Sequence, residues 1–163
     1  LIGNDPNYSS PTAHSGSWNN AANAYDDTDG TYATTAAAVA SNYSNHGFFV
    51  PGSNQIDGIA IKIETSGTTA SGNIGIELSW DGGTSWTSSG NSTPTLTTTD
   101  VVAIVGGVSD TWGRSWSGSE FSNANFAVRL TGNPSSNTVQ VDAIQVRVYH
   151  TATGGGGGGG GVI

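Results

Sequence analysis

Ile59, Ile61 and Ile63 alternate with Ala60, Lys62 and Glu64, and this period of two narrows what the chain can become more than any other feature. Successive side chains of a β-strand leave opposite faces, so the three isoleucines share an apolar face while Lys62 and Glu64 share a wet one. A helix would scatter the same residues around its axis. The pattern recurs along the chain. Ile74, Ile76, Leu78 and Trp80 hold one phase of residues 73–80, and Phe126, Val128 and Leu130 hold one phase of residues 126–130 with Arg129 outward. Residues 47–50 form a short apolar run stopped by Pro51-Gly52, which predicts a strand entering a turn.

In residues 138–149, Val139 and Val141 lie on one phase and Ile144, Val146 and Val148 on the other. A flip inside one strand requires an extra residue, which predicts a β-bulge near Asp142-Ala143 and, by the same reasoning, another at Gly58 between Ile56 and Ile59. Residues 1–40 are rich in Asn, Ala, Thr and Tyr without a helical period, and residues 33–40 read as a strand or loop edge because neither end carries a cap. Strands separated by Gly, Asn, Ser and Pro turns, with no amphipathic helix, predict an all-β fold: a jelly-roll-type antiparallel β-sandwich with extended termini. Residues 1–40 would supply an N-terminal extension and first strands, residues 41–153 the sandwich core of the same domain, and residues 154–163 a glycine-rich tail. Eight consecutive glycines in that tail precede Val162-Ile163, and glycine buries no side chain, so the segment reads as a tether or as a strand ordered by something else.

Composition limits the partners. Leu, Ile, Val and Phe make up about 18% of the chain, which is marginal for a core unless they are clustered as they are here. Lys and Arg number 4 against 12 Asp and Glu, for a net charge of -8. Neither nucleic acid nor membrane insertion suits such a chain, since both phosphate backbones and anionic lipid need clustered cations and no apolar run reaches membrane length. Cys is absent, which removes disulfides, thiolate metal sites and a Cys nucleophile. Met is absent as well, giving the expectation of a processed terminus or a larger precursor. The polar surface is dominated by Asn, Ser and Thr, a character that points to an extracellular or virion-surface location.

Several constellations could carry chemistry. Ser79-Trp80-Asp81-Gly82-Gly83-Thr84-Ser85-Trp86 allows Asp81 to accept turn amides, Gly82 or Gly83 to take positive φ, and Trp86 to fold back over the hairpin. Asp26, Asp27 and Asp29 crowd three carboxylates before Gly30, a pattern suited to structural Ca²⁺, although the EF-hand spacing fails. The other reading is a solvated Asx-turn loop. Trp112, Arg114 and Trp116 form an aromatic loop with a cation that could stack on a sugar ring or cap the open end of a sandwich. Catalysis finds no motif: His14, His46 and His150 are separated and read as surface residues, and Glu64 and Glu77 lie on outward phases where nothing shapes a cleft. Asn7, Asn42 and Asn91 head acceptor sequons and are candidate glycosylation sites.

The Ser79 to Trp86 segment resembles the Asp-box hairpin of sialidases and many extracellular β proteins, and residues 24–34 are similar to a loop of discoidin-type galactose-binding jelly rolls, near which Ca²⁺ binds. Together with residues 56–63, 110–116, 125–130 and 141–149, the Ser79 to Trp86 segment resembles a β-sandwich domain recurrent in bacterial secreted proteins and phage structural proteins, over about residues 47–150. The chain is also similar to the jelly-roll subunits of freshwater extracellular glycoprotein filaments, in which a terminal extension packs on the next subunit. The resemblance implies no enzyme and no required cofactor. It implies a structural subunit of an extracellular helical filament or virion appendage, a homopolymer with copies of itself as partners. Leu1, Ile2, Val162 and Ile163, apolar ends of a polar chain, are the assembly candidates. The alternative is a carbohydrate-binding jelly-roll module of a secreted or cell-surface protein, with glycan as partner.

Overall fold

The computed structural model of the protein describes residues 5–88 and 90–154. Among these, eight strands build two four-stranded sheets. One runs β1 (Ala13–Gly16), β3 (Ala40–Ser44), β7 (Ala127–Asn133), β5 (Asn73–Ser79) in spatial order. The other runs β2 (Ala33–Thr35), β8 (Val139–Thr151), β4 (Gln55–Gly67), β6 (Val101–Gly106). Odd-numbered strands form one sheet and even-numbered strands the other, so each connection between consecutive strands crosses from sheet to sheet. With every ladder antiparallel, this is an all-β sandwich of jelly-roll type. Two short 3₁₀ turns, Ala21–Tyr25 and Gly118–Phe121, interrupt the loops.

The alternating residues face one another between the sheets. Ile59, Ile61, Ile63, Ile74, Ile76, Leu78, Phe126, Val128, Leu130, Ile144 and Val146 are buried, and Val148 packs at the margin. Each such side chain contributes about 1.5–3 kcal/mol relative to exposure, which lets a chain poor in aliphatic residues hold a core. Strands β4 and β8 pair along most of their length with two register shifts. At the first, Glu64 opposes Ala143 and Thr65 opposes Val141, leaving Asp142 as the extra residue where the phase change places it. At the second, Ile56 opposes His150 and Gly58 opposes Tyr149, so Asp57 is the extra residue. Gly58 is required there, because a Cβ would stand 2.2 Å from the Gly107 carbonyl oxygen.

Three expectations need correction. Residues 47–50 join no ladder: Gly47 takes φ 69°, Phe48 turns onto Phe121 and Phe126, and Phe49 is left in solvent. Their apolar character helps plug one end of the sandwich. His46 is no surface residue. It is buried, stacked on Phe48 at 5.3 Å and edge-on to Phe126. Trp80, just past the end of β5, is half-buried and still packs on the core, edge-on to Trp116 and against Arg114. Glu64 keeps its outward phase yet is buried, since the loop after the first 3₁₀ turn comes over the sheet. Leu1, Ile2, Val162, Ile163 and the glycine tail beyond Gly154 lie outside the described residues.

Candidate functional site

Glu64 projects from the outer face of β4, and the bulge on β8 sets Asp142 beside it. The loop following Ala21–Tyr25 brings Asp27 and Asp29 to the same place, so that carboxylate oxygens from all four residues lie within 4.8 Å of one another. Glu64 is 1% exposed and Asp142 0%. Neither carboxylate oxygen of Asp142 has a hydrogen-bond partner. Burial, reinforced by the charge of Glu64, pushes the Asp142 carboxyl up to about 6. Like charges ~5 Å apart repel by roughly 3–4 kcal/mol at an effective dielectric of about 20. The chain's 4 Lys and Arg are engaged elsewhere: Lys62 with Asp5, Arg114 with Glu120, Arg129 with Glu77, and Arg147 over the Tyr149 ring. Asp26 stands apart. It is exposed, and its Oδ1 accepts the Thr28 amide at 3.2 Å in an Asx turn.

The hairpin around Asp81 is built as its sequence predicts. Asp81 Oδ1 accepts the amides of Thr84 at 3.1 Å and Ser85 at 2.7 Å, while Gly82 and Gly83 take φ of 72° and 91°. The Ser85 amide foremost holds the Asp81 carboxyl below its ordinary value. Trp86 folds back so that the Arg129 guanidinium lies 4.3 Å from its ring centroid.

Of Trp112, Arg114 and Trp116, the last two meet, while Trp112 is anchored separately on β4. Trp112 Nε1 donates to the Ile59 carbonyl at 3.0 Å and Trp116 Nε1 to the Thr111 carbonyl at 2.8 Å. Arg114 lies 4.0 Å from the Trp80 ring and 4.3 Å from the Trp116 ring, and grips Glu120 with two nitrogens at 2.9 and 3.2 Å. Both indoles of this loop are buried. Trp116 packs on Phe121 and Phe126 and, with Arg114, lines a shallow concavity shared with Gln55, Ile56 and Thr111.

A second concave surface lies on the outer face of the odd-numbered sheet. Register aligns Ser15, Asn42, Arg129 and Glu77 in one row, Ala40, Thr131 and Gly75 in the next, and Asn133 with Asn73 in a third. Residues 87–88 and 90–93 lie along β5 and bond to its free edge. Thr87 N donates to the Leu78 carbonyl, Ile76 N to that of Asn91, and the Thr93 hydroxyl accepts from Ile74 N. Between this return and the sheet runs a groove lined by Asn73, Gly75, Glu77, Asn91, Thr131 and Asn133. Glu77 is the one carboxylate of that lining, and Arg129 Nε holds its Oε2 at 2.9 Å. Asn133 Nδ2 donates to Asn73 Oδ1 at 2.9 Å. Sequence reasoning missed this surface, because Asn, Gly and Thr on strand phases look like ordinary wet faces until pairing sets them side by side.

The sequons differ in setting. Asn7 is exposed, Asn91 lines the groove, and Asn42 sits mid-sheet with its Oδ1 buried. His14 and His150 are exposed, paired with Tyr25 and Asn54. Among the described residues no helix is long and apolar enough to cross a membrane. No protein-family model matches the chain, and no curated protein matches it. A solved structure described by the words "CBM4 structure and function" is similar over 88% of this chain and 95% of that chain, with TM-score 0.47 and 8% sequence identity.

Proposed function

We propose that this domain is a non-catalytic carbohydrate-binding module of an extracellular or virion-surface protein, with its glycan in the groove between β5, β7 and the returning segment. The carrying observation is the lining itself. Three amides, the hydroxyl residues Ser92 and Thr131 and one carboxylate converge where two glycines, Gly75 and Gly90, leave the backbone open. Sugar hydroxyls donate and accept at once, and amides answer both roles from one planar group. Glu77, held by Arg129, is an oriented acceptor. Glycoside hydrolysis needs two carboxyl groups across the scissile bond, and the lining supplies one. The buried Trp112 and Trp116 have a packing role in this reading, so the sugar is recognised mainly by hydrogen bonds. A glycan array followed by calorimetry tests it. Binding should weaken at least about tenfold in an Asn73→Ala, Asn133→Ala double variant, and retention of no glycan by the native chain would defeat the reading.

A second reading, the filament subunit, draws on a different feature. Strand β6 is the outer strand of its sheet, and it leaves Val101, Val102 and Ile104 exposed, with Val108 just beyond. An apolar edge of this kind accepts a strand from another chain. Negative-stain images of the native chain and of Ile104→Lys test this: filaments lost in the variant support it, and native chains that stay dispersed at high concentration sink it.

A further inference from the structure

We propose that Asp27, Asp29, Glu64 and Asp142 together bind one hard divalent cation of the calcium class. Their oxygens lie within 4.8 Å of one another. Ligands on opposite sides of a calcium ion, each ~2.3–2.6 Å from it, stand up to about 5 Å apart, so the cluster has the dimensions of a shared coordination sphere.

Asp142 carries the inference beyond a collection of acids. It is fully buried, and both of its carboxylate oxygens lack a hydrogen-bond partner. The extra residue of the bulge is what places it there. A buried carboxylate with nothing donating to it is costly, and such a group persists where a charge completes it. That charge has to come from outside the chain, because each Lys and Arg is committed at another place.

The donor set selects the ion. It is oxygen only, without the imidazole or thiolate that zinc and copper favour. Two carboxylates come from paired strands and two from a loop, which suits the adaptable six-to-eight oxygen shell of calcium better than the strict octahedron of magnesium. Bound there, the ion would fasten residues 26–32 to the even-numbered sheet. The groove lies on the other sheet, so this site is independent of the glycan reading.

The chelator-treated 163-residue chain, titrated with calcium chloride in a calorimeter and melted with and without calcium, tests the assignment. A single ion per chain should bind, with a rise in Tm at millimolar calcium that magnesium reproduces only weakly. Asp29→Asn, at an exposed position, should fold normally and bind calcium at least about tenfold more weakly. Asp26→Asn removes the same charge outside the cluster and should bind as the native chain does. Asp142→Asn should lose the calcium-induced shift while melting no lower than the native chain in chelator, since it removes an uncompensated buried charge. Absence of heat and of any Tm shift in the native chain would overturn the site. So would an Asp26→Asn variant weakened as much as Asp29→Asn, or a calcium shift that survives Asp142→Asn.

Discussion

Tyr32 donates its phenolic hydrogen to Asp100 Oδ2 at 2.8 Å, tying the loop that carries Asp27 and Asp29 to the residue that precedes β6. That bond pushes the Tyr32 phenol up to about 12, so the latch stays closed across the physiological range. Tyr32→Phe keeps the ring and removes the bond. It should cost about 1 kcal/mol and speed amide hydrogen exchange within residues 26–32, while exchange in β4 and β8 changes little. Unaltered exchange in the loop would show that its other contacts hold it.

Arg114 is a second fastening, between Trp80, Trp116 and Glu120. Truncation to Ala removes two stacked faces and a two-pronged ion pair, and should destabilise by about 2–4 kcal/mol in urea unfolding. Arg114→Lys retains the charge but not the flat fork, so it should recover less than half of that loss. Full recovery by Lys would mean that charge alone matters here.

His46 sets a pH dependence. Burial lowers its pKa from 6.5 to about 4, so the unfolded chain takes up the proton first as the solution is acidified. Its contribution to stability is complete above pH 6.5 and is lost as pH falls from there toward about 4. The slope is about 1.4 kcal/mol per pH unit and the total roughly 3 kcal/mol. Urea unfolding at several pH values should show this slope in the native chain and a shallower one in His46→Phe. Equal slopes would assign the acid sensitivity to the carboxylates.

The three sequons should behave differently in a host that modifies them. Asn7 and Asn91 are accessible in the folded domain, whereas the amide oxygen of Asn42 is buried in the sheet. Glycopeptide mass spectrometry should find glycan at the first two and little at Asn42. Because Asn91 lines the groove, glycan there should block binding of an added sugar, and the same chain made in a host that adds no N-glycan should bind. Heavy occupancy of Asn42 would mean that attachment precedes folding of β3.

The sequence alone determined what local period and local chemistry can determine. Ile59, Ile61 and Ile63, Ile74, Ile76 and Leu78, and Val128 and Leu130 announce their strands because a period of two is written in adjacent residues. The phase change between Val141 and Ile144 announces the bulge, and the turn around Asp81 announces its own hydrogen bonds, all made within a few residues. Strands β1, β3 and β6 were not legible in this way. The first two are short and polar, held by the register of their neighbours, and β6 is an apolar run without alternation. Tertiary structure alone decided that Glu64, outward by phase, is covered, and that Asp27 and Asp29 meet it together with Asp142 while Asp26 does not. It likewise decided that Asn73, Asn91 and Asn133 line one groove. These sites join residues from distant strands and loops, and no local pattern encodes a proximity that only sheet pairing and a folded-over loop create.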